Sequence, residues 1–506
     1  MTLARTWSVG LAGVTGALVE VEVDMSAGLP GVALVGLPDA VVRQSVDRVR
    51  AAVVNTGASW PMRRITIGLS PAAMPKQGSG FDLALAAAVL AAAGTLPVDS
   101  ADGLVLLGEL GLDGSVRPVR GVLPAVLAAA RAGHRTVVVP AGNADEAALV
   151  AGVDVLAAAT LGDLVAHLSG RTRLAVHVRG PLPAPAAVPD LGDVVGQAAG
   201  RRAVEVAAAG GHHLFLTGPP GAGKTMLAER LPGLLPVLDE EAALEVTAIH
   251  SVAGTLPPGA PLVSRPPFEA PHHTATMAAL VGGGSGAIRP GALCRAHRGV
   301  LFLDEAPEFP RATLDTLRQP LERGTVTISR AAGAATFPCR AQLVLAANPC
   351  PCAGAAGDAA CTCSPLERRR YQSRLSGPLL DRIDLRVELP PVTRAAWLGP
   401  DAAPESTAAV AARVAAARQA AAERLGSSGL SLNSQVPGRL LRERWPLPRT
   451  TLALAERALD RGLLSVRGLD RVLRVSWTLA DLDGRTVPCG EDVAEALGMR
   501  LQRVAA

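Results

Sequence analysis

"HHLFLTGPPGAGKTMLAERL" (residues 212–231) runs from an apolar stretch through a glycine-rich turn into a helical pattern, and that order decides the fold. Gly218, Pro219, Pro220, Gly221, Ala222, Gly223, Lys224 and Thr225 spell G-x-x-x-x-G-K-T. The glycines let successive backbone N–H groups point inward and cradle phosphates at a helix N-terminus. Lys224 places a compact ammonium at the β- and γ-phosphates, where a planar guanidinium fits poorly. Thr225 offers a hydroxyl to Mg²⁺. With a strand before and a helix after, the motif predicts an α/β nucleotide-binding core.

Further along, "RGVLFLDEAPEF" supplies an apolar strand that ends in two carboxylates. Asp304 is expected in the Mg²⁺ shell, and Glu305 as the base that orients and deprotonates a water. An isolated Asp-Glu pair after a strand is as easily a solvated turn; beside a phosphate loop the catalytic reading wins. "LVLAANP" ends a further strand at Asn348, placed for the γ-phosphate or the water. "SGPLLDRIDL" presents Arg382, and an arginine that completes a neighbouring subunit's site raises the rate by orders of magnitude.

Composition bounds the rest. A chain of 506 residues is long enough for two to four domains. A net charge of +4 permits nucleic acid without arguing for it. Aromatics make up 2% of the chain, so base-stacking platforms are few. Of the 49 basic residues only Lys76 and Lys224 are lysine, which marks both as positions arginine does not replace. No apolar run reaches the ~20 residues of a membrane span. "WSVGLAGVTGALV" loosely resembles a signal-peptide core, but Gly10, Gly13 and Gly16 break a helix and "VEVEVD" alternates strictly. That predicts a β-hairpin and a cytoplasmic protein. Cys350, Cys352, Cys361 and Cys363 form a C-x-C…C-x-C quartet suited to tetrahedral Zn²⁺, the other reading being free or redox-active thiols.

Four regions are expected. Residues 1–172 alternate strands with helices: "VALVGLP" reads as a buried strand, "DAVVRQSVDRVRAAVVNTG" as a helix capped by Asp39, and Asp113-Gly114 as a hairpin turn. Residues 173–191 are a Pro/Ala-rich linker, 192–392 the nucleotide-binding unit, and 393–506 a helical lid with long arginine-bearing amphipathic segments.

The four nucleotide elements, in this order, resemble the AAA+ superfamily. "APHHTATMAALVGGGSGAIRPGALCRAHRGVLFLDEAPEF", "LRQPLERGTVTISR", "LAANPCPCAG" and "RLSGPLLDRIDL" narrow the resemblance to the ComM/YifB family of magnesium-chelatase-like AAA+ ATPases, across essentially the whole chain. It implies a Lon-protease-like (ribosomal S5 domain 2-like) α/β domain, an AAA+ P-loop core and an all-α lid. It also implies a homo-hexamer that uses ATP and Mg²⁺ to move on single-stranded or branched DNA, migrating branches during natural transformation. By the resemblance Asn348 is the first sensor, Arg382 the arginine finger, and Arg467 the lid arginine, with Arg471 as its alternative. "GDVVGQ" (192–197) would pack on the adenine. Arg289, on a glycine-rich excursion, and Arg330, near a hairpin turn, are the candidate DNA contacts, or solvated loop arginines. His272 and His273 are expected to be structural or nucleotide-proximal rather than metal ligands.

The N-terminal region is similar to the proteolytic domain of Lon in "PKQGSGFDL" (75–83). Aligned on Lys76 and Gly78, the nucleophilic serine falls on Gly80, with Ser79 one residue early. The base lysine falls on Leu123, with Ala125 two residues on. A hydroxyl without an amine stays a poor nucleophile, so no peptidase is expected. Lys76 matches a motif lysine that is not the base, leaving backbone capping, a domain contact or surface accident as its role. Two rival functions remain: a true magnesium-chelatase motor subunit, and an ATP-dependent DNA-binding adaptor with little turnover.

Overall fold

The computed structural model describes residues 2–181, 187–257, 261–284, 288–330, 333–352, 361–394 and 404–501. β1 (Thr2–Ala12) and β2 (Thr15–Ser26) form the antiparallel hairpin that the alternation predicts. Val19, Val21, Val23 and Met25 all face inward, as a two-residue period demands. β3 (Gly31–Val35), β4 (Arg64–Ser70) and β5 (Leu104–Leu106) follow. β6 (Glu109–Leu110) and β7 (Val116–Arg117) make a small hairpin around Asp113-Gly114, with Gly114 at φ +85°. β8 (Thr136–Pro140) and β9 (Asp154–Ala158) complete a seven-stranded sheet of order β3-β4-β2-β1-β5-β8-β9.

Helix Ala40–Asn55 starts where Asp39 caps it, its carboxylate accepting from Val42 N at 2.7 Å. Helix Asp82–Ala92 is buried on every face, as an apolar run without periodicity should be. Its Asp82 is paired with Arg48 at 2.8 Å. One expectation is corrected. "VALVGLP" is an edge strand, paired to β4 alone, and Val35 and Leu37 are each 58% exposed. An apolar run cannot distinguish a central strand from an edge, since only neighbours decide that. Within the stretch read as a linker, Val176 bridges to Leu156 and His177 N donates to Val155 O at 2.7 Å, so both still belong to the edge of this sheet.

The second sheet is wholly parallel. β10 (Leu214–Thr217), β11 (Phe268–Glu269), β14 (Val300–Leu303), β17 (Gln342–Ala347) and β18 (Leu385–Glu388) lie in the order β11-β14-β17-β10-β18. This order puts β17 between the strand that feeds the glycine loop and the strand that ends at Asp304. Ligands of open parallel sheets bind at the carboxyl ends of the strands. Two hairpins project from this unit: β12 (Gly282–Gly283) with β13 (Arg289–Pro290), and β15 (Thr325–Arg330) with β16 (Gly333–Pro338).

The C-terminal region is helical. The amphipathic segment "TTLALAERALDRGLLSVRGLDRVLRVSWTLADL" (450–482) falls in two helices, Arg449–Asp460 and Val466–Leu482, because Gly462 turns at φ +68° and Ser465 caps the second helix through Gly468 N at 3.1 Å. Lid and core meet around buried Asp384. Its carboxylate pairs with Arg471 at 2.5 Å and accepts from His213 N at 3.1 Å.

Candidate nucleotide site

β10 delivers the glycine loop to the N-terminus of helix Lys224–Leu234, with Gly221 and Gly223 at φ +76° and +85°. A Cβ on Gly218 would stand 2.5 Å from Leu389 O, so only glycine lets the loop pass that strand end. Lys224 is nearly buried. Its Nζ donates to Gly218 O (2.7 Å), Pro219 O (3.0 Å) and Asn348 Oδ1 (3.0 Å). Burial lowers its pKa, against the opposing pull of Asp304 and Glu305. Thr225 Oγ1 donates to Asp304 Oδ2 at 2.8 Å. Lys224, Thr225, Asp304, Glu305 and Asn348 are thereby assembled from the ends of two adjacent strands, β14 and β17, and the start of one helix.

Glu305 has φ +49°, a left-handed conformation that a non-glycine residue holds at a cost of about 1–3 kcal/mol. His273 Nδ1 lies 3.1 Å from its Oε2, and the His272 and His273 rings are 4.1 Å apart. Both histidines join Thr225, Glu229, Asp304 and Glu305 around a cavity of about 300 Å³. They therefore share one cavity with Thr225, Asp304 and Glu305. On the other side of the loop a cleft of about 420 Å³ is lined by Asp193, Val194, Gln197, Gly223, Met226 and Thr393, among others. Asp193, Val194 and Gln197 come from "GDVVGQ", and Gln197 Nε2 donates to Pro390 O at 2.8 Å.

Two predicted residues stand apart from this cluster. Arg382 donates to Arg318 O (2.9 Å) and Pro378 O (2.6 Å) and pairs with Glu322, so its contacts lie away from the glycine loop of its own chain. Arg467 is exposed in the first turn of helix Val466–Leu482 and is not among the residues lining either cavity. Its alternative, Arg471, is held by Asp384. Sequence reasoning missed Val392–Arg394, which line the cleft, because a loop after the last strand carries no motif. The His273–Glu305 contact was missed for the same reason: its two halves come from separate strand ends.

Arg289 and Arg330 are both exposed. Gly283 is the ladder partner of Arg289, and a Cβ on it would stand 3.1 Å from Arg330 Nη2. The two hairpins thus bring both arginines to one place. In the cysteine quartet the four Sγ atoms lie within 4.8 Å of one another, with Cys350–Cys352 at 3.2 Å, Cys350–Cys361 at 3.3 Å and Cys352–Cys361 at 3.5 Å. Four convergent thiols fit a tetrahedral Zn²⁺ shell. In the N-terminal domain, a Cβ on Gly80 would meet nothing within 4 Å, and Leu123 is fully buried with its backbone N bonded to Glu146. Neither position supplies a hydroxyl or an amine.

The parallel sheet, the glycine loop and the strand-end acids define an AAA+ P-loop fold carrying an α/β domain before it and helices after it. Family models for the magnesium chelatase subunit ChlI match residues 21–143 and 190–397, and one for its C-terminal part matches 404–500. The chain is 57% identical over 500 residues to an uncharacterised protein of Mycobacterium tuberculosis, covering 99% of each. It is 42% identical to competence protein ComM of Haemophilus influenzae over 510 residues, covering 99% of this chain and 98% of the relative. It is 40% identical to the uncharacterised protein YifB of Escherichia coli over 501 residues, covering 99% and 97%. A 137-residue stretch is 30% identical to Lon protease of Trichlorobacter lovleyi, covering 26% of this chain. The chain belongs to the magnesium-chelatase-like ComM/YifB family.

Proposed function

We propose that this protein is an ATP-driven motor acting on DNA, assembled as a homo-hexamer in the cytoplasm and migrating branched strands during recombination. The observation that carries the ATPase reading is the paired contact of Thr225 with Asp304 and of Lys224 with Asn348. These residues fit Mg·ATP. Thr225 and Asp304 would hold Mg²⁺, which supplies charge neutralisation at the phosphates. Lys224 would bind the β/γ oxygens, Glu305 would take a proton from the attacking water, and Asn348 would hold that water in line. Arg382 would reach the γ-phosphate of an adjacent subunit, and Arg467 would sense nucleotide from the lid. The cysteine quartet would bind structural Zn²⁺ just after Asn348. The vacant dyad positions Gly80 and Leu123 support no peptidase activity.

The DNA reading is supported by the full-length resemblance to a competence protein and by the shared location of Arg289 and Arg330, where paired guanidiniums would track phosphates without reading sequence. The names of the matched family models favour a second reading, a chelatase motor subunit. ATP turnover measured with and without single-stranded and four-way-junction DNA separates the two, with Lys224→Ala and Glu305→Gln as inactive controls. DNA-stimulated hydrolysis is the expected result; turnover indifferent to DNA but dependent on a porphyrin would overturn it.

A further inference from the structure

The Lon-like domain has Gly80 and Leu123 at the two dyad positions, and it meets the ATPase core at a telling place. Its β1–β2 turn ends on the hairpin that carries Arg330. A Cβ on Gly13 would stand 2.9 Å from Thr336 O and 3.4 Å from both Ala335 Cβ and Phe337 Cζ. Gly13 also adopts φ +67°, so only glycine lets the turn lie that close. Val14 packs against the cluster that includes Val326, Ile328 and Phe337 of the hairpin, and equally against a cluster of its own domain. Pro75 approaches the hairpin turn, its Cγ 3.9 Å from where a Cβ on Gly333 would lie. Lower down, Glu146 is buried at the same interface. It accepts from Leu123 N (2.9 Å) and Asn143 Nδ2 (3.2 Å) in its own domain, and from Ser251 Oγ across the junction.

The Pro75 loop is shaped by Lys76, which is fully buried. Lys76 N donates to Leu37 O at 3.1 Å, its carbonyl accepts from Asp39 N at 3.0 Å, and Nζ donates to Pro71 O. A hairpin of two strands is marginal alone and takes its geometry from what packs on it. Among the described residues β15 and β16 pair only with each other, so the Lon-like turn and the ATPase core are what hold them.

We propose that the Lon-like domain is the brace of the nucleic-acid face. Through Gly13, Val14 and the Pro75 loop it fixes the height of the β15–β16 hairpin, and with it Arg330 and adjoining Arg289, against the phosphates of a single strand. The inference rests on reading that face as DNA-binding. Val14 and Ala335 are positioning residues, removed from the nucleotide.

Full-length protein carrying Val14→Asp or Ala335→Glu tests the brace from its two sides, with Val14→Leu as the conservative control. Basal ATP turnover, thermal midpoint and the concentration of a mixed-sequence single-stranded oligonucleotide giving half-maximal stimulation are measured together. The expected result is basal turnover within about twofold of wild type, with the half-maximal DNA concentration raised about fivefold or more, and Val14→Leu near wild type. Unchanged DNA response in both charged variants overturns the brace alone. A fall in basal turnover that parallels the thermal midpoint also overturns it, since it marks a stability role only. Wild-type protein that hydrolyses ATP but ignores DNA overturns the reading of the face, and the brace with it.

Discussion

At the scale of single residues, the two lysines explain each other. In a chain with 49 basic residues, both lysines occupy buried positions, Lys224 at 8% and Lys76 at 0% exposure. Arginine's five donors need more acceptors than such sites provide. Lys76 has Pro71 O, and a guanidinium there leaves buried N–H groups unpaired at about 1–3 kcal/mol each. Lys76→Arg is therefore expected to lower urea stability more than Lys76→Met, although it keeps the charge; the reverse order would place the side chain in water. A second prediction concerns pH. His213 Nδ1 accepts from Leu343 N at 3.0 Å, and burial, against the opposing pull of Asp384 and with nearby Arg471 and His212 adding to it, pushes its pKa down to about 4. The unfolded imidazole titrates near ~6.5, so the unfolded chain binds the extra proton between these values. Stability should be full above that range and fall as pH drops through it, by on the order of 3 kcal/mol. Asp384, whose carboxyl Arg471 and His212 hold well below its ordinary range despite burial, contributes its own loss only under more acidic conditions. Urea titrations at neutral pH and near pH 5 should show the slope, and His213→Asn should flatten it.

At the scale of elements, the cysteine quartet gives the sharpest expectation. Cys350 follows Asn348 by two residues, and Asn348 bonds Lys224, so a metal there would set the position of this Lys224 partner. Purified protein is expected to carry one zinc per chain by elemental analysis. Cys361→Ser should lose it and slow ATP turnover by about 10- to 100-fold through misplacement of Asn348, with ATP binding largely kept. Metal-free wild type of full activity would dismiss the site. The same level separates what the sequence made legible from what it did not. Strand alternation in "VEVEVD", the Asp39 cap and the loop from Gly218 to Thr225 are local patterns, readable because neighbours along the chain determine them. Strand order is not local, so nothing in "VALVGLP" tells that β3 has one partner, and the Leu37 side chain ends in water. Likewise "TTLALAERALDRGLLSVRGLDRVLRVSWTLADL" keeps a helical period across the break that Gly462 and Ser465 impose. Lys224, Thr225, Asp304, Glu305 and Asn348 were legible because strand ends converge in any parallel sheet of this type. Val392–Arg394 and the contact of His273 with Glu305 were not, because loops reach the site by tertiary placement alone.

At the scale of the whole molecule, the position of Arg382 forces a question about assembly. Its guanidinium is anchored to Arg318 O, Pro378 O and Glu322, and its contacts do not include the glycine loop of its own chain. The segment carrying it is also tied to the lid: Asp384 pairs with Arg471, and Arg500 Nη1 donates to Ile383 O. As the proposed finger, Arg382 would serve a nucleotide presented by another copy. Removing such a finger costs about 10³–10⁵ in rate. Two variants then become complementary. Arg382→Ala keeps its own Lys224 and Asp304, whereas Lys224→Ala keeps its finger. Each alone is expected to be inactive, yet a mixture contains seams where an intact loop faces an intact arginine, and those seams should turn over. Turnover of the equimolar mixture, measured after disassembly and reassembly with ATP, is therefore expected to rise well above either variant. A mixture no more active than its components would mean that Arg382 acts within its own chain or not at all, and that the site needs no neighbour.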